Sequence, residues 1–214
     1  MPSFSRIDET NIQDHSRPRP EDEVYYLFEY TSGRNYTFSA TNGLISNLKK
    51  PPSRSHLAEY RYKRRAIADC AEGLGGAINH TWLNSATLVP VPPSKARTDP
   101  EYDDRITQIC RAIPASFALD VRELVIQRES TPAAHESGYR PSVRELLEIY
   151  EINEACASPI PERIAIVDDV LTAGTHFRAV HTLLSERFPD TKIVGFFIAR
   201  RVFPPGEFSD DSAD

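Results

Sequence analysis

Short apolar runs alternate with amphipathic stretches along most of this chain. Residues 86–91, 123–127, 163–167 and 192–198 read as strands, the first stopped by Pro92-Pro93 and the last apolar on both faces. Between them, residues 102–113, 143–152 and 175–187 carry apolar positions at helical spacing. Strands without a polar face, separated by helices, predict a parallel sheet covered on each side. The expected fold class is therefore α/β, doubly wound, with a mainly parallel sheet flanked by helices.

Upstream the pattern differs. Residues 24–30 and 35–41 are rich in Tyr, Phe and Thr and are separated by Thr31-Ser32-Gly33-Arg34, which predicts an N-terminal β-hairpin. Leu57, Tyr60, Ile67, Ala71, Leu74 and Ile78 then recur at helical spacing, predicting a long helix from Ser55, its N-cap, that weakens around Gly73, Gly75 and Gly76. The resulting organisation is a disordered tail over 1–23, a hairpin or hood over 24–54, the α/β domain over 55–203 and an acidic disordered tail over 204–214.

The 214 residues carry 25 Lys and Arg against 31 Asp and Glu, a net charge of −6. Most of the surplus sits in the tails: residues 1–23 hold three basic and six acidic side chains, and 204–214 hold four acids and no base. Residues 49–65 reverse the sign, with seven Lys or Arg against Glu59 alone. Such a run serves either as a solvated helix face or as an attractor for an anion or nucleic acid, although the chain as a whole lacks the basicity usual for nucleic-acid binding. No apolar run reaches the roughly 18 residues of a membrane span, and Met1 to Arg19 has no signal-like apolar core, so a cytoplasmic location is expected. Cys70, Cys110 and Cys156 are too dispersed for a disulfide framework or a close-spaced zinc pair and read as reduced thiols. The single Trp82, just ahead of a strand, reads as a packing residue. Phosphate-loop, dinucleotide, zincin and nucleophile-elbow motifs are missing from the sequence.

Chemistry concentrates in Ile164-Ala165-Ile166-Val167-Asp168-Asp169-Val170-Leu171-Thr172-Ala173-Gly174-Thr175-His176. An apolar strand delivers two carboxylates to its C-terminal end, where ligands bind in open α/β sheets, and a small-residue loop opens the next helix. Backbone N–H groups at that helix start carry partial positive charge. Gly174 permits close approach, and the hydroxyls of Thr172 and Thr175 add donors, so the loop suits a phosphate. Carboxylates beside it are better placed to accept bonds from vicinal hydroxyls or to lie near a divalent cation. His176, in the first helical turn, should be less basic than usual through the helix dipole.

This stretch resembles the phosphoribosyl pyrophosphate (PRPP) signature of type I phosphoribosyltransferases, and its Thr-Ala-Gly-Thr wording is similar to that of orotate phosphoribosyltransferases. The wider layout, with Leu88-Val89-Pro90-Val91-Pro92-Pro93, Arg105, residues 124–128 and Arg140, resembles the ComF-like branch. The resemblance implies an Mg2+-dependent transfer of the phosphoribosyl group of PRPP to a nitrogenous base or related acceptor. It implies ribose hydroxyls held by Asp168 and Asp169, with Val170 and Leu171 between them and a 5-phosphate loop of Thr172, Ala173, Gly174, Thr175 and His176. A pyrophosphate loop of Pro93, Ser94 and Lys95 is implied too, with Lys95 or Arg97 as its cation and residues 127–140 as a closing segment. Mg2+ would be held mainly through PRPP, with Asp168 or Asp169 assisting. The same fold also hosts non-catalytic sensors and interaction subunits. His176 departs from the small residue usual at its place, and the N-terminal zinc-binding cysteines of ComF-like proteins are absent. The predicted hairpin would act as the hood over the base, or as an edge that pairs with a second copy or another protein.

Overall fold

In the computed structural model, which describes residues 2–131 and 140–204, the apolar runs assemble into one six-stranded sheet. Its spatial order is β1 (Ser5–Arg6), β2 (Glu23–Thr31), β8 (Lys192–Val202), β7 (Arg163–Leu171), β3 (Ala86–Pro90) and β4 (Asp120–Val121). Every neighbouring pair is parallel except β1 on β2. A separate two-stranded antiparallel sheet joins β5 (Val125–Gln127) to β6 (Tyr150–Ile152).

Alternation along β7 explains why its Ile164–Val167 stretch is apolar on both faces. Ala165 and Val167 enter the core formed with α1 (Ala40–Leu48), α2 (Arg61–Ala77) and α4 (Arg105–Ala112), through Leu48, Ile67, Leu74 and Ile109. Ile164 and Ile166 enter the other core, formed with β5, β6, α5 (Val143–Ile149) and α6 (Thr175–Arg187), through Val125, Leu146, Phe177 and Val180. A short α3 (His80–Leu83) leads into β3. The protein is thus α/β, with a mainly parallel sheet covered by helices on both faces, an arrangement compatible with double winding.

Two N-terminal expectations are overturned. No hairpin forms over 24–41: β2 pairs in parallel with β8, and the Asn35 side chain instead turns the chain by accepting from the N–H and hydroxyl of Thr37. Ser39 then caps α1 by accepting from Asn42 N, and Asn42 closes the end of β2 through the N–H and C=O of Thr31. Val24, Tyr26 and Leu27 are buried, so β2 needs cover on two faces, which a solvent hairpin cannot supply. The expected tail over 1–23 is also structured where it is described, since β1 pairs with β2, and Ile7 and His15 are buried. Residues 205–214, the greater part of the acidic tail, lie outside the described residues.

Smaller corrections have local causes. The long helix starts at Arg61 rather than Ser55, because Pro51 and Pro52 open a 3-10 turn over Pro52–Arg54 and a second follows over Ala58–Tyr60. It runs through its glycines. At Gly75 a Cβ would stand 2.8 Å from Pro114 Cδ, so the small residue allows close chain packing. The helix expected over 143–152 stops at Ile149, and Tyr150 opens β6, while the strand expected over 123–127 joins the small sheet. All three cysteines are free thiols, and burial pushes Cys70 and Cys110 up to about 12. Among the described residues no helix is long and apolar enough to cross a membrane.

Candidate functional site

The chain leaves β3 to reach β4 on one side and returns as β7 on the other, so the strand order reverses between β3 and β7. Open α/β sheets bind ligands outside the carboxyl ends of the strands at such a point. The register defines the opening. β3 ends with Pro90 opposite Val167, Val91 N donates to Val167 O at 2.9 Å, and β7 continues alone on that side through Asp168 and Asp169.

A cleft of about 260 Å3 occupies this position. From the predicted set, Pro93, Ser94, Lys95, Asp168, Asp169, Val170, Thr172 and His176 line it, together with Lys49, Asp103 and Arg105. Leu171, Ala173 and Gly174 of the same strand and loop, and Thr175 at the start of α6, do not line the cleft. Arg97 departs from expectation, because it pairs with Glu123 and lines a neighbouring pocket. The loop after β3 is anchored at Ser94, whose carbonyl accepts from Gln127 Nε2 at 2.6 Å and Thr131 N at 2.8 Å. Lys95 makes no ion pair among the described residues. Of the expected closing segment 127–140, residues 132–139 lie outside the described residues.

The two aspartates have different surroundings. Asp169 Oδ2 accepts from Arg105 Nε at 3.1 Å and Nη2 at 2.8 Å, and Lys49 Nζ stands 3.5 Å from Oδ1. Arg105 also donates to Asp103, which takes Lys63 Nζ at 2.7 Å. Lys63 is buried at 1% exposure and completes its bonding at Lys50 O. Burial alone would raise Asp169, but Lys49 and Arg105 override it and hold the carboxyl below the usual range. Asp168 has no ion-pair partner among the described residues, and burial followed by the Asp169 charge pushes it upward. Its Oδ1 accepts from Asp169 N at 2.8 Å. On the cleft wall His176 Nδ1 and the Tyr150 hydroxyl are 2.8 Å apart, and burial pushes His176 down to about 4, leaving a neutral ring at physiological pH.

The loop after β7 is gripped from behind by the N-terminal arm. His15 Nδ1 donates to Thr172 O at 2.5 Å and Arg17 N to Ala173 O at 2.9 Å. Arg178 of α6 donates to Arg17 O at 3.1 Å and pairs with Asp22. Gly174, at φ +87°, is the residue before the helix, and a Cβ there would meet Pro18 Cδ at 2.7 Å. Engaging the loop carbonyls in this way holds its backbone geometry fixed at the start of α6.

Sequence reading missed Tyr150 and the arm. It included Lys49 only as part of a basic run, and that run disperses in the fold. Lys49 enters the cleft, Lys63 is buried, and Arg54 and Arg65 pair with Glu59 and Asp69. Compared with known proteins, the chain matches no family model and no curated protein.

Proposed function

We propose that the cleft binds PRPP and that the protein is a type I phosphoribosyltransferase, moving the phosphoribosyl group to a nitrogen acceptor with release of pyrophosphate. The observation that carries this reading is a convergence at the strand-order reversal: the Pro93–Lys95 loop after β3 meets Asp168–His176, which spans the end of β7, its following loop and the start of α6. In this reading Asp168 accepts from the ribose hydroxyls, the start of α6 takes the 5-phosphate, and Lys95 faces the pyrophosphate. Asp168 also fits a PRPP-bound Mg2+, because among the described residues no cation pairs with its carboxylate, whereas Asp169 already pairs with Arg105 and Lys49. Mg2+, when bound, supplies charge neutralisation on the leaving pyrophosphate. The chain's own part is to position the sugar phosphate and shield the reacting carbon, which requires no protein nucleophile.

A second reading, a PRPP or nucleotide sensor without turnover, draws support from the pairing of Arg97 with Glu123, which takes one expected cation out of the cleft. Calorimetric titration with PRPP, in Mg2+ and then in EDTA, tests both. Metal-dependent binding that Asp168→Asn loses supports the site, and pyrophosphate release with a base acceptor selects the enzyme. Binding with no release across the nucleobases selects the sensor, and no binding by the folded parent overturns both readings.

A further inference from the structure

At the opposite end of the sheet, where β2, β7 and β8 begin, lies a second cleft of about 900 Å3. That is within the range of small-molecule sites. One β7 strand links the two clefts, with Arg163 at this end and Asp168 five residues on, roughly 16 Å away at the usual rise per residue.

Its floor is aromatic. Phe196 of β8 stacks on Phe4 with centroids 4.8 Å apart and an interplanar angle of 15°. Trp82 meets Phe196 edge-on at 5.5 Å, and Tyr25 tilts against it at 6.0 Å. Phe196 is buried, while Phe4, Tyr25 and Trp82 are half-buried and keep ring surface toward the opening. Trp82 is therefore a cleft wall as well as a packing residue.

The rim is cationic. Arg6, Arg163 and Lys192 stand around the cleft against Glu23, the only acid among its lining residues, a surplus of 3 − 1 = +2 on a chain whose net charge is −6. Lys192 holds Glu23 at 2.7 Å, and Arg163 pairs with Glu162 while its guanidinium carbon stands 6.0 Å from the Trp82 ring centre. Arg6 has no ion-pair partner among the described residues. Aromatic surface beside cations selects a flat ring that carries a negative group: the ring stacks on the aromatic walls, and the anion takes charge-assisted bonds from the rim. A neutral ring would leave Arg6 without a counter-charge, and a bare anion would leave the aromatic floor wet.

We propose that this cleft is a second ligand site that binds a nucleoside monophosphate, its base against Trp82 and Phe4 and its phosphate at Arg6 and Arg163. The inference does not depend on the PRPP reading.

Trp82 is the single tryptophan, so intrinsic fluorescence of the full chain reports this cleft directly. Titration with AMP, GMP, CMP and UMP is expected to give saturable quenching by at least one of them. Adenosine, tested beside AMP, should bind about tenfold more weakly, and inorganic phosphate should cause no change. Arg6→Ala, an exposed substitution that leaves the core untouched, should weaken the nucleotide by about tenfold, and Arg163→Ala by a similar factor. Linear, non-saturating quenching by all four nucleotides overturns the proposal. So does saturable binding unaltered in Arg6→Ala and Arg163→Ala, or binding that Asp168→Asn abolishes, which would put the nucleotide in the other cleft.

Discussion

Arg105 grips Asp169 through a single carboxylate oxygen, with Nε and Nη2 at 3.1 and 2.8 Å from Oδ2, while its third nitrogen reaches Asp103. Removing the arginine would leave the buried Asp169 and the half-buried Asp103 each short of a partner. Arg105→Ala is therefore expected to lower the unfolding free energy by about 3 kcal/mol, read by urea denaturation. Asp169→Asn, which keeps a hydrogen-bonding oxygen, should cost less. Equal stability of Arg105→Ala and the parent would refute the view that this network holds the floor of the cleft.

Asp168 lies above the ordinary carboxyl value of 3.8, through burial first and the neighbouring charge second. The folded chain keeps a proton that the unfolded chain has already released. Its contribution to stability is therefore complete below 3.8 and is lost as pH rises through the raised folded value. Asp168→Asn should remove that loss, so the variant is expected to be more stable than the parent at about pH 8 and no more stable at about pH 3.5. Denaturation curves at the two pH values provide the comparison, and a variant with the parent's pH slope contradicts the assignment.

His176 and His15 shift the other way, since burial lowers both from the ordinary 6.5, His176 to about 4. The unfolded chain binds protons that the folded chain refuses, so stability present above 6.5 is lost as pH falls through the lowered values. His176→Gln is expected to flatten the acid limb of a stability profile measured between those pH values. A limb as steep as the parent's would mean that His176 is already charged in the fold.

Gly174 combines a positive φ with the contact to Pro18. Gly174→Ala should cost about 2 kcal/mol, from left-handed backbone strain together with the clash. Adding Pro18→Ala should recover the steric part and leave the backbone part. A double-mutant cycle in urea measures the coupling, and additive effects would show that the arm and the loop do not press on each other.

The parts that sequence made legible are those fixed by local pattern. The predicted helix over 175–187 coincides with α6 (Thr175–Arg187), because apolar periodicity begins right after a glycine suited to the preceding turn. β7 and β8 start where predicted and run further, since pairing with neighbours extends them beyond their purely apolar stretches. Val24 to Tyr30 was legible as a strand, but its partner was not. Adjacency in sequence favoured a hairpin, whereas two-sided burial required β8. At the site, the Asp168 to His176 motif and the Pro93 to Lys95 loop could be placed from their positions at strand ends. The charges that distinguish Asp168 from Asp169 could not, because Lys49 follows α1 and Arg105 opens α4, with no shared spacing. His15 carried no periodic signal at all, since its hydrogen bond spans 157 positions.

Placing β2 beside β8 joins the first long strand of the chain to the last. During vectorial synthesis on a ribosome, Val24, Tyr26 and Leu27 emerge long before Phe196 and Ile198, and they must wait with their apolar sides uncovered until residue 202 has cleared the exit tunnel. The arm that braces the loop after β7 is tied to the same delay. A nascent chain cut short before residue 192 can form α2 and β3 but not a finished cleft. Assembly of the candidate site is thereby coupled to the synthesis of β8, and the high separation of its closing contacts makes that step the slow one.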